Sequence, residues 1–357
     1  MPLDITGTRL RNQRLSGGRL THPQDVVRWL GAVQAQDYAG AKWALGLRMQ
    51  RSADAQIEAT FSEGKILRTH VMRPTWHFVT PADIRWMLAL TAPRVSAAMA
   101  PYNRRLELDA TVFRRAQRAM VRALRGGRQL TRQELKVVIQ RAGVHADGVQ
   151  RLAHIVMQAE LDAVICSGAR RGKQFTYALL DEWVPMSRPL SRDDAIAELA
   201  RRYFTSHGPA HVHDFAWWSG LTVADARAGL EAGKRVLAYD TVDGRTYWFP
   251  SSVRGPNKTR SAYLLPLFDE YLIAYKDRSA ALDVSRIAAR DPFSAPIVVN
   301  GQVVGGWKRL QNGSSISIAL TPFERLGKRD VSAITAAARA YAAFVDIDVE
   351  LSWREGV

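Results

Sequence analysis

Between Thr131 and Leu179 the sequence spells two helices followed by a basic turn and a strand, and much the same order returns further along. Thr131 stands before a helical run to Arg141 with Glu134 three residues on, the spelling of a reciprocal cap. From Gln150 to Ser167, Leu152, Ile155, Val156, Ala159, Leu161 and Val164 form an apolar stripe, which predicts one helix stopped by Gly168. Arg170-Arg171-Gly172-Lys173-Gln174 then makes a basic turn into Phe175 to Leu179, whose β-forming residues predict a strand. Helix, helix, basic hairpin is the order of a winged helix-turn-helix. A second copy is predicted from Asp193 to His207, His211 to Trp218, a helix opened by Thr222, and a hairpin turning at Asp243-Gly244. A less regular copy occupies the N-terminus, where Ile66 to Val71 and Thr75 to Val79 bracket Arg73-Pro74. The last stretch changes character: Asn300-Gly301 turns a hairpin, Ser315 to Leu320 adds a strand, and Val331 to Val345 closes with an alanine-rich helix. The expectation is an α+β chain of about three tandem winged helix-turn-helix motifs with a C-terminal antiparallel β-rich segment. Its units would be residues 1–100, 101–188, 189–260 and 261–357. Pro185 to Ser191 reads as a linker and Ser251 to Ser261, with Arg254, Lys258 and Arg260, as an exposed basic loop.

Charge points to the partner. Lys and Arg number 50 against 34 Asp and Glu, a net charge of +16 with a pI near 10.4, and cations of this density gain free energy by displacing counterions from a polyanion. Between Arg104 and Arg132 nine arginines face two acids, Glu107 and Asp109. Arg114, Arg118, Arg122 and Arg125 share one helical face, which reads as a phosphate track or as an ordinary solvated face. The near lack of acids favours the track. Arg170, Arg171 and Lys173 lie where a wing would touch a backbone, giving affinity without sequence choice. Cys166 is the sole cysteine, so no disulfide forms within the chain, and a reducing cytoplasm is expected. No apolar run is long enough to span a bilayer. Neither a phosphate-cradling glycine loop nor a cysteine pair is present, so nucleotide hydrolysis and zinc or iron–sulfur chemistry are not indicated. His211 and His213 read as surface or capping residues rather than metal ligands, and Asp269, Glu270 and Asp277 as structural acids paired with Lys276 or Arg278 rather than catalytic ones.

The one triplet that suggests chemistry is Gln34-Ala35-Gln36, followed by Asp37 at the end of the helical run Pro23 to Val33. Side chains two residues apart lie roughly 200° apart on a helix but on one face of an extended segment, so the amides act together only where the helix has ended. Ala35 would then point inward. Beside the triplet, Tyr38 and Trp43 line a base or sugar surface or belong to the core, and Arg68 and Arg73 flank the first hairpin within reach of phosphates.

The triplet, the block Leu67-Arg68-Thr69-His70-Val71-Met72-Arg73-Pro74-Thr75-Trp76-His77-Phe78, the run Trp217-Trp218-Ser219-Gly220, the segment Leu264 to Arg278 and Gly305-Gly306-Trp307-Lys308 together resemble the AlkZ-type winged-helix DNA glycosylases. The resemblance covers nearly the whole chain. It implies a C-shaped scaffold around duplex DNA containing alkylated purines, which are excised, with interstrand crosslinks as further substrates. A soluble monomer associated with the nucleoid is expected, with no cofactor and no metal. The family motif is Gln, an apolar residue, then Gln or Asp, so Gln34 and Gln36 take the catalytic positions and Asp37 an auxiliary one. A purine alkylated at N7 or N3 is cationic and leaves neutral, so two amides that orient water suffice without a general acid. The rival readings are a non-catalytic winged-helix regulator of transcription, and an RNA-binding or architectural protein.

Overall fold

A computed structural model of the chain describes residues 3–252, 261–283, 285, 294–312 and 315–354. After α1 (Ile5–Asn12), the order helix, short strand, helix, helix, strand, strand begins: α2 (Pro23–Leu30), β1 (Val33–Gln34), α3 (Tyr38–Leu47), α4 (Asp54–Ser62), β2 (Leu67–His70) and β3 (Trp76–Val79). The sheet runs β1-β3-β2, with β3 central. A long helix, α5 (Ile84–Arg105), crosses the expected unit boundary at residue 100. The order then repeats as α6 (Ala110–Leu124), β4 (Leu130–Thr131), α7 (Arg132–Arg141), α8 (Val149–Leu161), β5 (Ile165–Ser167) and β6 (Thr176–Leu179), in a sheet β4-β6-β5. Following α9 (Leu180–Trp183) and an irregular connection through 185–191, it recurs as α10 (Arg192–His207), α11 (Val212–Ser219), α12 (Val223–Gly233), β7 (Leu237–Val242) and β8 (Arg245–Pro250). Here Ala210 alone, bridged to Trp248, stands in for the short strand.

Local chemistry accounts for these elements. Thr131 accepts from the Glu134 amide while Glu134 accepts from the Thr131 amide, completing the predicted box. Asp243-Gly244 and Asn300-Gly301 both take positive φ at their two positions, as a type I′ turn requires. The predicted helix from Gln150 to Ser167 is corrected: it ends at Leu161, Ala163 turns left-handed at φ 55°, and Ile165–Ser167 pairs with β6. The β-branched Val164 and Ile165 fit that strand better than a helix end.

The C-terminal segment holds β9 (Ala262–Leu264), α13 (Glu270–Ile273), β10 (Ala295–Val299), β11 (Gln302–Asn312), β12 (Ser315–Pro322), α14 (Lys328–Val345) and β13 (Val349–Trp353). Its sheet runs β13-β12-β11-β10-β9 and is antiparallel except at one edge. There the expectation is corrected, because α14 carries the chain across and returns β13 parallel to β12. The basic loop expected at Ser251 to Ser261, with Arg254, Lys258 and Arg260, falls largely outside the described residues.

Two cores meet near the N-terminal sheet. Val26, Leu30, Trp43, Phe61 and Phe78 of the first repeat join Leu264, Tyr271, Trp307, Tyr341 and Phe344, so the C-terminal sheet packs directly on that repeat. Leu67, Val79 and Met87 instead join Tyr203, Phe204, Phe215 and Trp218 of the third repeat and Tyr275 of the C-terminal segment. The second repeat keeps its own core around Met120, Leu135, Ile155 and Tyr177. Burial at about 25 cal/mol per Å² of apolar surface thus fixes three separate stretches of sequence around β1.

Candidate active site

Helix α2 stops because Gly31 turns to φ 86°, a conformation open to glycine, with the Trp218 ring closely packed beside it. The chain leaves extended. Val33 and Gln34 pair with Phe78 and His77, and the Ala35 amide donates to the Trp76 carbonyl at 2.7 Å. Ala35 is fully buried on the inner side, and its carbonyl accepts from Arg68 Nε at 2.9 Å. Alternation along β1 turns Gln34 to the opposite side from Val33 and Ala35, and Gln36 follows at a bend just beyond the strand. Gln34 keeps 9% of its surface exposed, and Gln36 stands in solvent. Asp37 caps α3, its carboxylate accepting from the Gly40 amide at 3.2 Å, which ties that acid to the helix start.

Each amide has an anchor. Arg73 Nη2 donates to Gln34 Oε1 at 3.2 Å, and the Trp76 amide donates weakly to Gln36 Oε1 at 3.4 Å. His77, fully buried below, has Nδ1 2.9 Å from the Thr75 carbonyl, so that nitrogen carries the proton and Nε2 faces Arg73 at 3.5 Å with its lone pair. Burial and then the Arg73 charge push His77 down to about 3, so the ring stays neutral. Under the strand lies an acid that local sequence did not single out for the site. Glu270, wholly buried, accepts the Gln34 amide at 2.8 Å on Oε1 and the Trp218 indole N–H at 2.9 Å on Oε2. Burial works to raise its carboxyl, yet the neighbouring His207, the Arg73 charge and the Gln34 amide outweigh that and hold it below the usual carboxylate range. The arrangement offers one exposed amide and one largely buried amide, with one cation beside Gln34 and one anion behind it.

A family model described as "DNA glycosylase AlkZ-like" matches residues 27–344, from the helix before the Gln pair to the end of α14. The chain belongs to the AlkZ-like DNA glycosylase family. It is thus a glycosylase of the base excision repair type. A relative from Streptomyces sahachiroi named "Interstrand DNA cross-link repair glycosylase" is 25% identical over 358 residues, which cover 91% of this chain and 91% of that one. The solved "Streptomyces sahachiroi DNA glycosylase AlkZ" superposes with a TM-score of 0.81 at 22% identity, over 99% of this chain and 98% of that one, a likeness of fold.

In this AlkZ-like glycosylase the basic residues divide by exposure. Arg68 is 8% exposed, stacked over Trp76 and Phe175 with centroids at 4.2 and 4.5 Å, and burial pulls it down to about 10. Its place is beneath the motif, holding Ala35. Arg170 is half-buried over Tyr38 and Phe175 and within 3.4 Å of Glu58, while Arg171 pairs with Glu134 at 2.8 Å. Lys173 in the turn between β5 and β6, Arg114, Arg118 and Arg122 along α6, and Arg125 just past its end are exposed. Trp43 is 4% exposed, its indole donating to the Leu264 carbonyl at 2.6 Å, and Tyr38 packs edge-on against Phe61, Phe78 and Phe175, so both aromatics serve the core. The acids' expected partners are corrected. Asp269 pairs with Arg48, Glu270 takes Gln34 and Trp218, and Asp277 pairs with Arg245; Lys276 and Arg278 take none of these roles, because packing brings distant segments closer than chain neighbours. His211 sits at the α11 start with Nδ1 2.7 Å from the Thr246 carbonyl. Among the described residues no cluster of three or more His, Cys, Asp or Glu could hold a metal ion, and no helix is long and apolar enough to cross a membrane.

Proposed function

We propose that the chain hydrolyses the N-glycosidic bond of purines alkylated at N7 or N3, with Gln34 and Gln36 holding the water. The observation that supports this reading is that the chain leaves α2 extended and anchors both amides at the first hairpin, Gln34 on Arg73 and Gln36 on the Trp76 amide. The lesion supplies the driving force. As the bond from the anomeric carbon to the ring nitrogen breaks, its electron pair neutralises the cationic base, which leaves without a proton from the enzyme. Positive charge moves to the sugar. Each amide oxygen keeps a second lone pair beyond its present contact, enough to accept a hydrogen of water and to face the sugar cation. The water oxygen then bonds to the anomeric carbon and its proton passes to solvent. An interstrand crosslink through two alkylated purines contains the same bond on each strand, and the name of the Streptomyces relative points the same way.

The three recurring units fit tandem winged helices curved around duplex DNA, with the exposed arginines of α6 and Lys173 set to meet phosphates. Undamaged purines would be spared, since nothing here activates a neutral leaving group. The test is incubation with N7-methylated duplex, followed by mass spectrometry of the soluble fraction. Free 7-methylguanine with no free guanine is the expected result; no release of methylated purine would overturn the reading.

A further inference from the structure

We propose that Glu270 is a positioning residue of the glycosylase site, an anion that fixes the Gln34 backbone and sets a negative charge behind the amide pair. The inference rests on the reading of Gln34 and Gln36 above. β1 is the edge of its sheet, and the Ala35 amide bonds back to β3 while the Gln34 amide points the other way. An edge N–H needs only a neutral acceptor, such as a carbonyl or water. Here it meets a wholly buried carboxylate that also accepts from Trp218, joining strand β1 of the first repeat to helix α11 of the third. A buried charge is costly where an uncharged group would serve. Its chain neighbour Asp269 is in turn gripped by Arg48 through two oxygens, which fixes α13 and Glu270 with it. The motif's own acid, Asp37, is occupied in capping α3. Glu270 therefore supplies the anion that two neutral amides lack, where it can oppose the charge growing on the sugar.

Glu270→Gln keeps an oxygen for the Gln34 amide and removes the charge. Release of 7-methylguanine from N7-methylated duplex would be followed in single turnover with enzyme in saturating excess, alongside DNA affinity by fluorescence anisotropy. The expected result is a rate at least tenfold lower with affinity within twofold of wild type. A folded variant with the wild-type rate would overturn the proposal, and so would a lowered melting temperature at unchanged rate, which marks a core acid only. Should Glu270→Gln fail to fold, Glu270→Asp retains the charge and draws the carboxylate back from the Gln34 amide by one methylene. A tenfold loss at unchanged affinity supports the assignment, and the wild-type rate refutes it. Wild-type enzyme on the same duplex separates the two claims: an inactive wild type sinks the proposed function, whereas an active wild type beside an equally active Glu270→Gln sinks the role of Glu270 alone.

Discussion

Asp269→Ala should be among the most damaging single changes outside the motif. Arg48 and Asp269 are buried at 0% and 1% exposure and form a two-oxygen pair at 2.8 and 2.9 Å. The remaining Arg48 donors go to the Gln13 carbonyl and amide oxygen and to the Ala44 carbonyl, so the guanidinium cannot leave for water when its anion is removed. Deleting one member of such a pair costs about 3–5 kcal/mol, because the other charge stays buried without compensation. Asp269 also caps α13, worth about 1 kcal/mol more. At roughly 2 °C per kcal/mol for a large chain, the melting temperature should fall by about 8–12 °C. Glu270 rides on the same short helix, so the rate of base release should drop even at temperatures where the variant remains folded. Replacing both partners, Arg48→Met with Asp269→Leu, should recover most of the loss, since a packed apolar pair avoids the desolvation penalty. Thermal and urea denaturation of wild type, Arg48→Met, Asp269→Leu and the double variant closes the cycle, with Asp269→Ala measured beside them. An Asp269→Ala variant within about 1 kcal/mol of wild type, the range of an exposed pair, would refute the argument.

Other consequences lie further from this pair. Arg118→Ala with Arg122→Ala should weaken duplex binding without regard to sequence and make the dependence of log affinity on log salt shallower by about 2, at roughly 0.9 for each phosphate no longer neutralised; an unchanged slope would make this helix face merely solvated. His77 has a folded pKa of about 3 against 6.5 unfolded, so between these values the unfolded chain binds the extra proton and stability falls as pH drops below 6.5. Its share is at most about 1.4 kcal/mol per pH unit, and His77→Gln should flatten the decline of the urea midpoint between pH 7 and 5; identical declines would contradict a neutral buried ring. Arg171→Ala should change stability by less than about 1 kcal/mol in denaturation, its pair with Glu134 being exposed on both sides.

What could be read from sequence was what short range dictates. The capping box at Thr131 and the Asp-Gly and Asn-Gly turns each depend on a few adjacent residues, and each is in place, whereas the run read as helical to Val33 ends at Leu30, where Gly31 turns the chain and Val33 joins β1. The helix predicted through Ser167 failed because periodicity could not register the left-handed turn at Ala163. The acids failed for a different reason. Glu270 stands 236 residues from Gln34 and Asp269 stands 221 from Arg48, so only the packing of the C-terminal segment against the first repeat creates those contacts. Arg68 looked like a phosphate ligand beside the first hairpin, yet two aromatic rings and the Ala35 carbonyl enclose it.

The most direct test of the whole account is the double variant Gln34→Ala with Gln36→Ala on N7-methylated duplex, with base release and DNA binding measured side by side. β1 keeps its backbone bonds and the Arg68 contact to Ala35 in this variant, and a melting curve beside the wild type confirms that it is folded. The account predicts that release of 7-methylguanine falls to the spontaneous rate while the duplex is bound nearly as tightly as by wild type. Release at the wild-type rate would contradict it.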